Sequence, residues 1–309
     1  MKQFWTLFLI LACLACSKEP GTLRNVTVRL DPGIPATRSG NPDEERINDL
    51  NLFAFREDGD LEAALWLDAR TLGRSGSDCT LSLPRGLSYS LYACVNFGYA
   101  VRGIASRDEL LAYRYYMAYP DEFTRGIPMT GIAEVDPQAT DIAIALERMM
   151  AKISLRVDRR GLSEGVRLSV RSVILGASPR SALAFGPSHS LGNMDVFSRG
   201  FERSGTQADA LNRDQAPGLS EPVSVYMLEN LQGDAPLEPS YIEMALEYES
   251  PRQVTRPGSY LTYRFKLGEE AGNGDIQRNF HYRFTIRPEG DGLLTEDSWR
   301  VDRSALTAK

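Results

Sequence analysis

Apolar and polar residues alternate at every second position along most of the chain, and this pattern predicts β-strands. A first strand is predicted over residues 22–30. Residues 50–55 are apolar on both faces, so we expect a central strand there. Half-buried strands with a polar outer face are expected at 150–157 and 166–175. The other predicted strands cover residues 61–67, 79–83, 87–95, 127–130, 142–146, 223–228, 242–248, 260–267, 281–286 and 298–301.

The clearest predicted hairpin turns at a Pro-Arg-Gly sequence between two apolar strand faces. Pairing apolar with apolar positions sets Leu83 against Tyr89 and Cys79 against Ala93. Cys94 then points to the opposite face, which favours two buried thiols over a Cys79–Cys94 disulfide. A shift of the register by one residue would permit the disulfide.

Two further patterns complete the local prediction. Ser106 and Glu109 have the spacing of a capping box, which predicts a short helix through the following tyrosines that ends before Pro120. Residues 31–46 and 176–220 are rich in Gly, Ser, Asn and Pro and are expected to form surface loops.

The number and spacing of these strands indicate an all-β protein of the β-sandwich type. The length fits two sandwiches that meet near residue 148 better than one. We therefore predict an N-terminal sandwich over residues 47–148 and a C-terminal sandwich over 149–309. A tether that contains the first strand, residues 17–46, would precede them.

The N-terminus has the features of a lipoprotein signal peptide, residues 1–16. Lys2 precedes the apolar residues 4–14, a run too short to span a bilayer, and small residues lead to Cys16. We expect cleavage before Cys16 and a diacylglycerol on its thiol, with Cys13 as the second choice. An ordinary cleaved signal peptide is the alternative. Acyl chains anchor durably because each buried methylene contributes about 0.8 kcal/mol.

Composition and motifs give little support to an enzyme. The net charge is −6 with both signs mixed, so nucleic acid is not an expected partner. His189 and His281 have no partner at metal-ligand spacing, and HExxH does not occur in the sequence. A CxxC occurs at 13–16, within the predicted signal peptide. A GxSxG occurs at 161–165, between two predicted strands rather than at a strand-to-helix turn, so it does not form the nucleophile elbow of a hydrolase. A pair of carboxylates distant in sequence stays possible as a hydrolase site. We predict no catalytic residue, cofactor or metal.

Six segments occur in order between residues 47 and 302: INDLNLFAF at 47–55, IPMTG at 127–131, LERMMAKI at 146–153, YMLENLQG at 226–233, RNFHY at 278–282 and GLLTEDSWRVD at 292–302. Together they resemble the fimbrillin superfamily of Bacteroidales, the subunits of type V pili. The resemblance is strongest to its lipoprotein anchors and minor subunits.

The resemblance implies two tandem transthyretin-like β-sandwich domains, with one short helix in the first, and a non-catalytic anchor or minor or tip subunit. Partners would be other fimbrial subunits, a membrane through the lipid, and a host or bacterial surface ligand. The location would be the outer membrane, the cell surface and the fimbrium.

Subunits of that family join by strand exchange after an Arg-specific protease removes the first strand, whereas anchors keep it. The candidate cleavage residues here are Arg38 and Arg46. Both are equally well explained as solvated loop arginines. Residues 301–309 form a short segment, and its use as a donor strand stays open.

Two other functions remain as alternatives. A glycan-binding outer-membrane lipoprotein would present exposed aromatic side chains. A hydrolase would present two facing carboxylates in an open cleft. The aromatic candidates for glycan binding are Trp66, Tyr113, Tyr115, Tyr116 and Tyr119.

Overall fold

The computed structural model of the chain describes residues 22–33, 45–75, 78–213, 218–233, 236–252, 260–268, 274–295 and 298–306. The predicted signal peptide with Cys13 and Cys16, and the loop residue Arg38, lie outside the described residues. Strands dominate the described residues, which confirms the all-β class. No helix among them is both long and apolar enough to cross a membrane.

The strands in chain order are β1 Leu23–Asp31, β2 Leu50–Phe55, β3 Leu61–Leu67, β4 Asp78–Pro84, β5 Tyr89–Val95, β6 Arg114–Tyr116, β7 Met129–Val135, β8 Asp141–Ala145, β9 Glu147–Arg148, β10 Met150–Val157, β11 Gly161–Leu162, β12 Arg167–Gly176, β13 Ser178–Pro179, β14 Ser181–Leu183, β15 Val196–Phe197, β16 Phe201–Ser204, β17 Val223–Leu228, β18 Tyr241–Glu249, β19 Tyr260–Lys266, β20 Phe280–Ile286, β21 Glu289–Gly290 and β22 Trp299–Ala305. The α-helices are α1 Ala69–Ser75 and α2 Arg107–Leu111. The 3-10 helices are Glu122–Arg125, Asn193–Asp195 and Gly205–Asn212. The predicted bounds of β2, β3, β10 and β17 are confirmed residue for residue.

Two sheets enclose the first core. One has the strand order β3-β2-β5-β7-β9 and the other β4-β1-β8. Inward side chains of both sheets, including Val28, Leu52 and Leu91, form one apolar cluster. Phe53 and Phe55 on the other face of β2 pack in a second cluster. β2 is therefore a central strand covered on both faces, as its sequence predicts.

The predicted hairpin of β4 with β5 is wrong. β4 pairs with β1, whereas β5 pairs with β2 and β7 in the opposite sheet. The turn at Gly86, which has a positive φ of 79°, carries the chain across the core. Leu83 and Tyr89 do face the same core, but from opposite sheets. Alternation determines which face of a strand is buried, and it does not determine the neighbouring strand.

Two four-stranded sheets enclose another core in the second half of the chain. Their strand orders are β17-β10-β20-β22 and β16-β12-β18-β19. The buried side chains of this core, including Ile153, Met244 and Phe284, come from residues 151–294. The division into domains at residue 148 stays a prediction, and the separate origin of the two cores agrees with it.

The polar outer face that the sequence predicts for β10 is wrong except at Arg156, which is exposed. Met150, Lys152 and Ser154 are all buried. The Oγ of Ser154 lies 2.7 Å from Nε2 of His281 and 2.7 Å from the Oγ of Ser224. Short polar side chains are buried here because they find partners on neighbouring strands.

A cluster shared by the two halves fills the space between the sandwiches. It includes Tyr92 and Phe97 from the first half, and Tyr226 from the second. Ala182 and Phe197 also belong to it, although they lie in the stretch predicted as surface loop. That prediction is wrong in part, because β13 to β16 and two 3-10 helices form within residues 176–220. Isolated apolar residues in a Gly- and Ser-rich stretch carry no period that would reveal them.

The capping box begins α2 as predicted. The Oγ of Ser106 accepts from the backbone N–H of Glu109, and the Glu109 carboxylate accepts from the N–H of Ser106. The helix ends at Leu111, earlier than expected, because residues 114–116 extend to form β6 and pair with β14. The structure adds α1, which the sequence pattern did not predict.

Candidate functional site

β1 is the first strand of the described chain, yet it lies at the centre of its sheet. It pairs antiparallel with β4 and parallel with β8. Its side chains alternate between the core and the surface: Val26 and Val28 are 0% exposed and Leu30 is 2% exposed. The strand therefore fills a groove between β4 and β8 with a regular row of apolar side chains.

Backbone hydrogen bonds hold the middle and the C-terminal end of β1. The N–H of Thr27 donates to the carbonyl of Thr140 at 2.7 Å, and the N–H of Leu146 donates to the carbonyl of Asp31 at 2.7 Å. Burial of each of these apolar side chains stabilises the fold by about 1.5–3 kcal/mol. Without β1, strands β4 and β8 would present unpaired backbone groups beside an apolar groove, which is the arrangement that accepts another extended segment.

Arg46, one of the two candidate cleavage residues, is exposed but closely followed by anchored residues. The carbonyl of Arg46 accepts from Nδ2 of Asn96 at 2.8 Å. The N–H of Asn48 donates to Oδ1 of the same Asn96 at 2.7 Å, and Ile47 packs against the first core. Asn96 adopts a positive φ of 61°, which places its amide between these backbone groups.

Asp49 provides a second attachment for the same segment. Its two carboxylate oxygens accept from the backbone N–H groups of Phe97 and Gly98, each at 3.0 Å. Burial raises the pKa of Asp49 to about 6, although both hydrogen bonds oppose the shift. The segment that leads from the loop into β2 is thus attached to the β5–α2 connection by side chains at both Asp49 and Asn96.

The buried Asp49 predicts a pH dependence. Since its folded-state pKa is about 6 and its ordinary value is 3.8, the folded chain binds more protons than the unfolded chain in this interval. The free energy of unfolding should therefore fall as the pH rises from 3.8 to about 6. Asp49→Asn should remove this slope in chemical denaturation at a series of pH values. An unchanged slope in D49N would contradict the assignment.

The thiols and histidines do not form a reactive site in the part of the chain described. Cys79 and Cys94 are free and buried, and burial raises the pKa of Cys79 to about 11. His281 is a buried strand residue beside Ser154. The described residues contain no group of three or more His, Cys, Asp or Glu side chains able to hold a metal ion.

The aromatic candidates for glycan binding are divided between packing and the surface. Tyr115 is buried, and its ring lies 4.8 Å from that of Phe97. Tyr113 stacks on the same Phe97 ring. Tyr116 and Tyr119 are exposed. Half of the tyrosine cluster therefore packs in the space between the sandwiches.

The order and pairing of these strands give the chain the fold of the bacterial fimbrillins. The fimbrilin FimA of Porphyromonas gingivalis superposes with a TM-score of 0.60 at 13% identity, over 93% of this chain and 99% of that one. A protein of Bacteroides eggerthii assigned to cell adhesion gives a TM-score of 0.65 at 18% identity, over 93% and 97% of the two chains.

The tip fimbrial protein Mfa3 of Porphyromonas gingivalis, with a C-terminal truncation, gives a TM-score of 0.53 at 12% identity, over 94% of this chain and 100% of that one. No protein-family model matches the chain, and no curated protein matches it. The structural neighbours are thus fimbrial and adhesion proteins, and at such identities they establish the shared fold.

Proposed function

We propose that this chain is a non-catalytic subunit of a fimbrium, carried to the cell surface by a lipid on Cys16, which joins other subunits at the position of β1. The observation that carries the proposal is the central place of β1 between β4 and β8, with its apolar side chains fully buried. Fimbrial and adhesion proteins with the same fold support it.

Two roles remain within this proposal, and they differ in the fate of β1. An anchor keeps both the lipid and its first strand. A minor or tip subunit loses the strand by cleavage and accepts another strand in the vacated groove. The lipid on Cys16 is permanent in the first role and temporary in the second.

Arg38 is the better cleavage candidate of the two. A protease needs several residues on both sides of the cut in an extended, accessible form. Beyond Arg46, the next residues are anchored: Asn48 binds Asn96, and Ile47 packs against the core. Cleavage after Arg46 would require this anchor to detach first.

Mass spectrometry of the mature protein from intact cells tests the proposal directly. We expect an N-terminus either at an acylated Cys16, which identifies an anchor, or at Ser39, which identifies a strand-accepting subunit. An unacylated N-terminus upstream of Ser39 would refute the lipid attachment. An N-terminus at Ile47 would refute the preference for Arg38.

Matched lysine variants separate the two arginines, since an Arg-specific protease spares lysine and the charge is kept. In the purified full chain, Arg38→Lys should abolish cleavage between β1 and β2. Arg46→Lys should be cut at the wild-type rate. The reverse result would show that the anchor around Asn96 opens readily.

A further inference from the structure

Arg24 is the charged residue on the inward face of β1, and it is only 6% exposed. Its Nη1 donates to the carbonyl oxygens of Asp136 at 2.8 Å and Ala139 at 2.7 Å, and its Nη2 donates to that of Leu87 at 3.2 Å. We call these three oxygens the carbonyl cage. Leu87 lies in the crossing between β4 and β5, while Asp136 and Ala139 lie between β7 and β8. One guanidinium thus links the β4–β5 connection to the β7–β8 connection, and each of these crosses from one sheet to the other.

The carbonyl cage requires hydrogen-bond donors from any strand that fills the groove. The three hydrogen bonds are partly buried, so leaving one of these carbonyl oxygens without its donor costs free energy, and an acidic or apolar side chain supplies no donor. A guanidinium carries several N–H groups in a planar fork and reaches oxygens on two loops at once, whereas a lysine ammonium is a single point. The next inward side chains, those of Val26, Val28 and Leu30, are fully or almost fully buried, so their pockets fit apolar side chains of similar size.

We propose that the carbonyl cage selects the partner segment that replaces β1. That segment would be an extended strand with an arginine, followed at alternate positions by three apolar residues of about the size of valine or leucine. The proposal rests on the proposed function in its strand-accepting form. It deepens that function by naming the chemistry of the partner strand.

The cage also sets the direction and register of the incoming strand. It lies at one end of the groove, whereas at the opposite end the N–H of Leu146, which donates to Asp31 of β1, would need an acceptor from the incoming strand. A shift by two residues would bring an apolar side chain to the cage or the arginine into the pocket of Val26. Either result would bury a mismatched group, so one alignment is strongly favoured.

The last strand of this chain, β22, does not carry the required order of side chains. On one face of β22 the order is Arg300, Asp302 and Ser304, which would place a carboxylate in the apolar pocket of Val26. On the other face, Arg303 is the only cation within β22, and with Arg303 in the cage the next alternate residues in the sequence would be Ala305, Thr307 and Lys309 rather than three apolar residues. A second copy donating β22 is therefore a poor occupant, and the expected partner is a different chain.

The test uses the full chain with a specific protease site inserted within residues 34–44, cut after folding. Labelled peptides of residues 22–33 are exchanged into it, and their dissociation is followed by fluorescence anisotropy. The Arg24→Met peptide should dissociate about 10- to 100-fold faster than the native peptide, as expected for loss of hydrogen bonds from a charged donor. Arg24→Lys should be intermediate.

Arg29 provides the matched control, because its side chain lies on the outward face of the strand and is 69% exposed. The Arg29→Met peptide should dissociate within about twofold of native, as is usual for surface substitutions. Equal rates for the Arg24→Met and native peptides would overturn the selection. A peptide of residues 299–306 that binds like the native one would overturn the exclusion of β22.

The failure of the proposed function looks different in the same experiment. If the cut chain releases β1 and takes up no peptide at all, strand exchange itself is wrong. If the cut chain never releases β1, hydrogen exchange in the intact chain decides the role of Arg24. Arg24→Met should then lower amide protection in β1 and Arg29→Met should not, and equal protection in the two variants would overturn the inference.

Discussion

Replacing Val28 with aspartate should destabilise the chain by more than about 4 kcal/mol, the range reached when an unpaired charge is buried. Val28 is 0% exposed and lies at the middle of β1, with β4 on one side and β8 on the other. The new carboxylate would lose its water and find only apolar neighbours. Chemical denaturation of the full chain measures the effect.

Asn25→Asp is the matched control, since it adds the same charge to the same strand on the exposed face. The Oδ1 of Asn25 accepts from Ser82, and an aspartate keeps that acceptor. The control should change stability by less than about 0.5 kcal/mol. Should Val28→Asp not fold at all, Val28→Ala still gives a measurable loss of about 2 kcal/mol. Equal stability of both aspartate variants would show that β1 does not belong to the folded core.

Glu229→Gln should cost about 3–5 kcal/mol, because it leaves a buried arginine without its counterion. The side chains of Glu229 and Arg278 are 4% and 10% exposed. The carboxylate accepts from the N–H of Ser188, from the backbone N–H of Arg278 and from its guanidinium. A glutamine would turn an NH₂ group toward one set of these donors.

The exposed pair of Glu243 and Arg264 provides the comparison. Their side chains are 25% and 58% exposed, and such pairs contribute about 0–1 kcal/mol. Glu243→Gln should therefore change the free energy of unfolding much less than Glu229→Gln. A double-mutant cycle with Arg278→Met isolates the coupling. A Glu229→Gln loss below about 1 kcal/mol would mean that water reaches this site.

Local signals in the sequence led to correct local structure. The capping box needs only Ser106 and Glu109, and it begins a helix where they stand. The alternation over residues 150–157 depends only on neighbouring residues, and the strand bounds are those predicted. The sequence does not predict the end of α2, because β6 is extended through its pairing with β14, far along the chain.

Pairing between strands could not be read from the same signals. Alternation predicts the correct face for Leu83 and Tyr89, yet they lie in opposite sheets, because a short turn can connect either arrangement. Alternation predicts Ser154 at the surface, whereas it is buried because Ser224 and His281 supply polar partners. Such partners become visible only when distant strands are placed side by side.

The candidate site shows the same division. The first strand and its apolar face follow from alternation alone, but its parallel neighbour β8 does not. The anchoring of Asn48 by Asn96 depends on a contact between residues far apart in sequence. The role of Arg24 depends on carbonyl groups of two separate connections, and the positions of backbone oxygens cannot be read from the sequence.

The pairing of β1 also sets an order of events during synthesis. β1 emerges from the ribosome first, but Thr27 pairs with Thr80 and with Asp141, so the second neighbour appears only after most of the first half has been made. Contacts of such long sequence separation form slowly because closing the intervening chain costs entropy. The other strands of the first sandwich can assemble before β1 has paired with both of its neighbours. We therefore expect a folding intermediate with an empty groove, in which a foreign strand would compete with β1.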